Sequence, residues 1–399
     1  LSLNLGLRVE YFPIMDRGEY GIERYNSDTN KVLIGGRGNN PRNSGSEASA
    51  MFAPRIGLAY RANEKTVVRA GFGITNDPYP LSRPLRAPFP AVIIDEYIQT
   101  SSFIPAGSLA AGIPAVRFPD LSTGVLDIPN TISTTSLLPG KFRRGYIESY
   151  NLTLERDLGA GFVLRTGYAG THSVRQAVSG FDFNAGIVPG AGVNGRVLYG
   201  KFGVTTTRSF FIPMANQRYD AWQTNVTRRF TQGLFLTSSY TWSKSIGIDG
   251  GNSDNGVRFY VPSQFSANKS VTDFDRTHTW VTAANWELPF GRNKKFATSG
   301  PAAALAGGWQ VNPNLALYSG RPFIVSADGS SLNAPGNTQV ADQIRGDVSK
   351  FGGVGLGAPF YDPTAFAPVR EVRFGNMGLN ALRGPRLFNM SLGLFRKFA

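Results

Sequence analysis

Cysteine is absent from the 399 residues, and histidine occurs only at His172 and His278. The first absence removes disulfides and thiol chemistry, and the second leaves too few imidazoles for an ordinary zinc site. Charge is scarce as well: Asp, Glu, Lys and Arg make up 17% of the chain, against roughly 25% in an average soluble domain. No apolar run reaches 18 residues, and the nearest, residues 300–309, is short and rich in Ala and Gly, so no transmembrane helix is expected. There is no secretory signal pattern, and the chain opens at Leu1 already inside an alternating run, which is expected to continue upstream. Neither a Walker sequence nor a serine nucleophile elbow occurs. Gly71-Phe72-Gly73 lies inside a strand-like run rather than between a strand and a helix, so no phosphate loop is indicated. An enzyme is the least favoured class.

What is present is alternation. Aromatics reach 12% and glycine 47 residues, a composition that suits strands and turns. In residues 219–243, Trp222, Thr224, Val226, Arg228 and Phe230 share one face, while Gln223, Asn225, Thr227 and Arg229 share the other. After a turn at Gln232-Gly233 the pattern resumes, with Leu234, Leu236, Ser238, Tyr240 and Trp242 opposite Thr237, Ser239 and Thr241. Residues 1–12 alternate in the same way: Leu1, Leu3, Leu5, Leu7, Val9 and Tyr11 against Ser2, Asn4, Gly6, Arg8 and Glu10. Further alternating runs are expected near 52–61, 66–74, 146–156, 162–169, 279–288, 309–317 and 387–398. Pro313 weakens the strand expectation for its segment, since proline donates nothing to a ladder.

The connections are expected to alternate long and short throughout. The stretches 13–50, 76–145, 172–218, 246–277 and 320–384 are polar or punctuated by Gly and Pro and read as long loops. A soluble sandwich has no reason to segregate its loops, whereas an outer-membrane barrel keeps short turns at its periplasmic end and long loops outside. Ten residues at about 3.3 Å each give roughly 33 Å of strand, which a tilt of about 40° reduces to the apolar band of roughly 25 Å. All five tryptophans, at 222, 242, 280, 286 and 309, fall in expected strands, mostly near their ends, as interfacial girdles do. The expected fold is therefore all-β: a transmembrane antiparallel β-barrel architecture with about ten strands in residues 1–399. Its oily face would meet lipid, and its Asn, Gln, Thr and Arg face would line water.

Candidate chemistry is sparse, and no cofactor or metal is expected. A structural or loop role is expected for both histidines. The run DGGNSDN at 249–255 has oxygen ligands for a cation but not the spacing of an EF-hand, and reads as a solvated loop. Asp273, Asp275 and Arg276 are expected to form an ion pair fixing a loop base. The formal charge of +14 is spread along the chain, which argues against a nucleic-acid patch. Arg8, Arg55, Arg69, Arg165 and Arg229 fall on the expected wet face, where a cluster would draw anionic or polar solutes; the alternative is pairing with carboxylates such as Glu10 and Glu287. Arg156 and Arg228 fall on the oily face beside short turns, where they are expected to snorkel to the interface.

The segments SSYTWSKSIG (238–247), DFDRTHTWVTAANWELPFGRNKKF (273–296), LAGGWQVNPNLALYSGRPF (305–323), YDPTAFAPV (361–369) and RFGNMGLNALRGPRLFNMSLGLFRKF (373–398) resemble, in this order, the barrel of Oar-like TonB-dependent outer-membrane transporters. The resemblance covers about the last 180 residues well and earlier hairpins such as APRIGLAYR (53–61) and TVVRAGFGI (66–74) less closely. It implies a barrel of roughly 22 strands in the outer membrane of a Gram-negative cell, so that residues 1–399 would be a single partial barrel domain and further strands would follow Ala399. It also implies an N-terminal regulatory-like domain and a plug before Leu1, contacts with lipopolysaccharide and the TonB complex, and uptake of an extracellular substrate. A surface adhesion or assembly protein, binding partners through long loops without transport, is the alternative. A soluble nucleic-acid-binding β-protein is the third reading.

Overall fold

A computed structural model describes residues 1–78, 85–86, 88–97, 105–113, 115–248 and 256–398. Ten long strands carry the fold: β1 (Ser2–Tyr11), β2 (Ala50–Asn63), β3 (Thr66–Asn76), β4 (Tyr146–Gly159), β5 (Phe162–Asp182), β6 (Arg208–Thr231), β7 (Leu234–Gly247), β8 (His278–Glu287), β9 (Trp309–Tyr318) and β10 (Leu387–Arg396). Each pairs antiparallel with its neighbour in sequence, in the order β1 to β10, and β1 and β10 form the two edges of the resulting sheet. Among the described residues no helix is long and apolar enough to cross a membrane, which leaves crossing by strands open.

The two-residue period explains the sheet. Paired residues of antiparallel strands point to the same side, so the register carries one face from strand to strand. Leu5 pairs with Ile56, Ile56 with Phe72 and Phe72 with Tyr150. Further along, Leu152 pairs with Tyr168, Tyr168 with Trp222 and Trp222 with Trp242. This apolar face is open: Leu5 is 72% exposed, Leu392 62% and Trp242 59%. Exposed apolar area on that scale marks a surface covered by something other than water. Trp242 lies level with His278, and Trp309 sits near the opposite end of the neighbouring strands. The two levels are about ten positions apart, roughly 33 Å along a strand at ~3.3 Å per residue, or roughly 25 Å across at a tilt near 40°. The aromatics thus bracket a band of membrane thickness. Pro313 is accommodated inside β9, opposite Leu392.

Three connections are tight: β2–β3, β4–β5 and β6–β7. In the last, Gln232 and Gly233 have φ of 50° and 76°, the double positive φ that matches the right-handed twist of a hairpin. The β8–β9 connection departs from the expected short turn. Residues 288–308 fold back on themselves and include a helix, α1 (Gly300–Ala306).

The other end of the sheet also differs from a set of plain loops. Residues 172–218 were expected to be one loop, but the strands β5 and β6 run on to Asp182 and back from Arg208, pairing through bulges between Ser173 and Phe181. Residues Ile132–Leu137 join this extension in parallel with Arg208–Phe211. Sequence composition favoured a loop, and pairing between the two segments overrode it. Most buried apolar side chains lie in this layer. One cluster contains Tyr25, Val32, Ile34, Phe89, Leu126, Ile132, Val204 and Phe210, and another contains Phe259, Val340, Met377 and Leu379.

The register yields a direct prediction. Leu315, mid-strand between the Trp280 and Trp286 levels, lies on the apolar face, and Asn314 lies on the polar one. Leu315→Arg should destabilise the full-length protein in lipid vesicles by about 2–4 kcal/mol, and Asn314→Arg by much less. Urea unfolding would measure both, and equal costs would show the faces exchanged.

Candidate functional site

The polar face is built from the alternate positions of the same strands. On β4 to β7, Asn151, Thr153, Arg165, Gln223, Asn225 and Ser239 line a hollow of about 430 Å³. One side-chain tie crosses the strands here, Asn225 Nδ2 donating to Ser239 Oγ at 2.8 Å; the Thr166 and Thr224 hydroxyls, also 2.8 Å apart, meet on the opposite, apolar face. The surface is hydrogen-bonding in character, suited to holding water or a polar solute.

The five arginines singled out above do not form one cluster. Arg69 and Arg165 converge on Glu155, which Arg165 meets at 2.9 Å and Arg69 at 3.9 Å. Arg8 lies near the loop layer and pairs with Glu10 at 2.6 Å, while Glu10 also accepts from Asn76 Nδ2 at 2.8 Å. Arg55 lies between these groups, flanked by Gly6 and Gly73 on the neighbouring strands. Arg229 sits beside the β6–β7 turn, its backbone N–H donating to Gly161 O. Pairing with Glu10 was expected. Glu287 was the other expected partner, but it binds Lys294 at 2.9 Å and Lys397 at 3.8 Å. Glu155 was not singled out, although its place two positions from Thr153 on the polar face was the available signal. Arg228 does not snorkel into open solvent. It is buried against the Phe162 ring, 5.0 Å from its centroid, and its Nε donates to Ala160 O at 3.3 Å, closing the adjacent turn.

Above the sheet, charges tie the loop layer down. Asp275 is buried, accepts from Ser245 N at 2.6 Å and meets Arg383 at 2.5 Å, joining two connections that are distant in sequence. The expected loop-base ion pair exists, but with Arg383. Arg276 instead stacks over Tyr318, 5.4 Å from the ring centroid. Asp182 and Arg196, also buried, meet at 3.3 Å. Arg208 is fully buried, lies 5.5 Å from the Tyr25 ring centroid and donates to Pro129 O at 3.0 Å and Thr206 Oγ1 at 2.8 Å. Arg373 hydrogen-bonds Asp342 and lowers its pKa, and the Thr364 hydroxyl and N–H, with Arg345 nearby, do the same for Asp362. His172 contacts Glu148 at 3.2 Å, and His278 Nδ1 lies 2.8 Å from the Tyr240 hydroxyl. Both histidines are therefore engaged with neighbouring strands. The 249–255 run lies outside the described residues.

A sheet with one lipid-compatible face, one wet face and a folded layer at one end is the wall of a transmembrane β-barrel. The chain belongs to the outer membrane beta barrel domain family, whose model matches residues 1–399. No curated protein matches it. Among solved structures, it is similar to the siderophore receptor PirA from Acinetobacter baumannii, with 8% identity and a TM-score of 0.42 over 89% of this chain and 36% of that one. It is also similar to BauA, the ferric preacinetobactin receptor from the same organism, with 14% identity and a TM-score of 0.37 over 85% and 32% of the two chains. For the FrpB iron transporter from Neisseria meningitidis (F3-3 variant) the values are 9%, 0.35, 73% and 30%. The chain thus spans about a third of the length of these structures. It is an outer-membrane protein.

The two kinds of ion pair should differ in worth. Removing Asp275 strands a partly buried guanidinium and should cost about 3 kcal/mol, whereas Glu155→Ala, in a wet and partly exposed cluster, should cost less than about 1 kcal/mol. Chemical denaturation of both variants of the full-length protein checks the order.

Proposed function

We propose that these residues form part of the wall of a TonB-dependent transporter that admits a polar extracellular solute across the outer membrane. The observation that carries the reading is the continuous polar face, with its hollow and its Arg69–Glu155–Arg165 group, running beneath a folded loop layer. The layer would capture the solute, and the hydrogen-bonding wall would let it pass without desolvating onto apolar surface. In this reading the wall works with a plug and a TonB-contacting segment that the family resemblance places N-terminal to it. Arg8, Arg55, Arg69, Arg165 and Arg229 would bias the lumen toward anionic solutes, tempered where Glu10 and Glu155 pair them. Lipid and lipopolysaccharide would surround the apolar face.

Orientation is tested first. The chain has no cysteine, so single cysteines report cleanly. Ser122→Cys and Ser330→Cys, in the long connections, should label on intact cells with an impermeant maleimide, and Glu64→Cys, in a tight turn, should label only after the outer membrane is opened. The reverse pattern would invert the barrel.

Transport itself is tested by measuring accumulation of a panel of labelled small nutrients in cells expressing the full-length protein, with and without TonB. At least one compound should accumulate only when TonB is present. Equal surface attachment in both backgrounds, with no TonB-dependent accumulation, would replace transport with adhesion.

A further inference from the structure

The β8–β9 connection is the one turn-side link that is not tight, and nothing in the transport reading uses it. Its residues, 288–308, contain no Asp or Glu but carry Arg292, Lys294 and Lys295. Glu287 engages Lys294 at 2.9 Å. No ion-pair partner is found for Arg292 or Lys295 among the described residues, and both are exposed. The same segment exposes apolar side chains: Leu305 is 73% exposed and Phe296 48%. An acid-free segment combining cations that have no carboxylate partner with open apolar side chains, Lys295 lying 5.4 Å from the Phe296 ring centroid, has the chemistry of an interfacial membrane element.

The segment is a built feature rather than a loose loop. Gly291, at φ 108°, packs against Gly307 so closely that a Cβ on it would lie 2.7 Å from the Gly307 Cα, and a Cβ on Gly308 would lie 2.2 Å from Lys397 O. These contacts clamp the loop to the end of α1 and α1 to the end of β10. Position on the sheet is set by two residues of the apolar face, Trp309 and Arg396, which pair with each other. Trp309 Nε1 donates to Leu305 O at 3.0 Å, and Arg396 donates to Gly307 O at 3.2 Å and to Ala304 O. The helix therefore lies against the lipid-facing side of the wall, at its turn end, continuous with Trp286 and Trp309.

We propose that residues 288–308 form a foot that lies in the turn-side leaflet, with Leu305 and Phe296 entering the acyl boundary and Arg292 and Lys295 binding the phosphates of anionic phospholipid. The occupant follows from continuity with the apolar face and from charge complementarity. The proposal rests on the outer-membrane barrel and not on the transport reading, so it stands or falls independently of TonB-dependent uptake.

The test uses the full-length protein in vesicles of phosphatidylcholine with or without phosphatidylglycerol. A polarity-sensitive fluorophore on Leu305→Cys should be quenched by lipid carrying a spin label near the headgroup about threefold more than the same fluorophore on Glu64→Cys, because only the former lies in the boundary. Equal quenching at the two sites would overturn the foot. Native mass spectrometry should show phosphatidylglycerol retained over phosphatidylcholine, with Arg292→Gln and Lys295→Gln each weakening that retention about fivefold. Unchanged retention in both variants would overturn the phosphate role. Displacement of the lipid by millimolar inorganic phosphate would reassign the cations to a free anion. Heat-modifiable migration of each variant on a gel confirms a folded barrel, and both substituted cations are exposed.

Discussion

The structure depends on the pairing of backbone polar groups where no water can reach them. In hydrocarbon each unpaired N–H or C=O costs several kcal/mol, so the strands must be satisfied by their neighbours. The path from Ser2–Tyr11 to Leu387–Arg396 does this for every interior strand on both sides. With the backbone satisfied, the side chains of both faces are free to meet different solvents. That is why Leu5 and Leu392 stand open beside strands whose alternate residues are Asn, Thr and Arg.

The loop layer obeys the opposite rule. It buries Tyr25, Ile34, Leu126 and Phe210 in a conventional core and places Arg208 within it. A charge can lie there only because Pro129 O, Thr206 and the Tyr25 ring surround it. Asp275 and Arg383 tie this layer to the sheet through Ser245 on β7. One chain thus joins two stabilising regimes: hydrogen-bonded ladders in lipid, and apolar burial with paired ions in water.

The polar face draws on both. Its arginines are partly neutralised by Glu10 and Glu155, which keeps the wall hydrated without the repulsion of an unpaired cluster. Arg55 and Arg229 stand apart from these pairs, so the positive potential is distributed along the wall rather than gathered at one point.

The ten strands, their two faces and the Gln232-Gly233 turn are legible in the chain, because facing lipid on one side and water on the other imprints a period of two on neighbouring residues. The alternation also named Glu10 among the carboxylates available to the arginines of the wet face, though the pairing with Arg8 in particular came from the fold. The remaining features arise from long-range contacts. Residues 172–182 and 208–218 became strand because they found each other, and glycine-rich composition carries no trace of that pairing. The clusters around Tyr25 and Phe259 were hidden because burial in an irregular layer has no period. Arg69 and Arg165 meet at Glu155 only through the register of three strands, and Asp275 reaches Arg383 across 108 positions. Local alternation records which solvent a residue faces; which residue it touches depends on contacts that the chain makes only when folded.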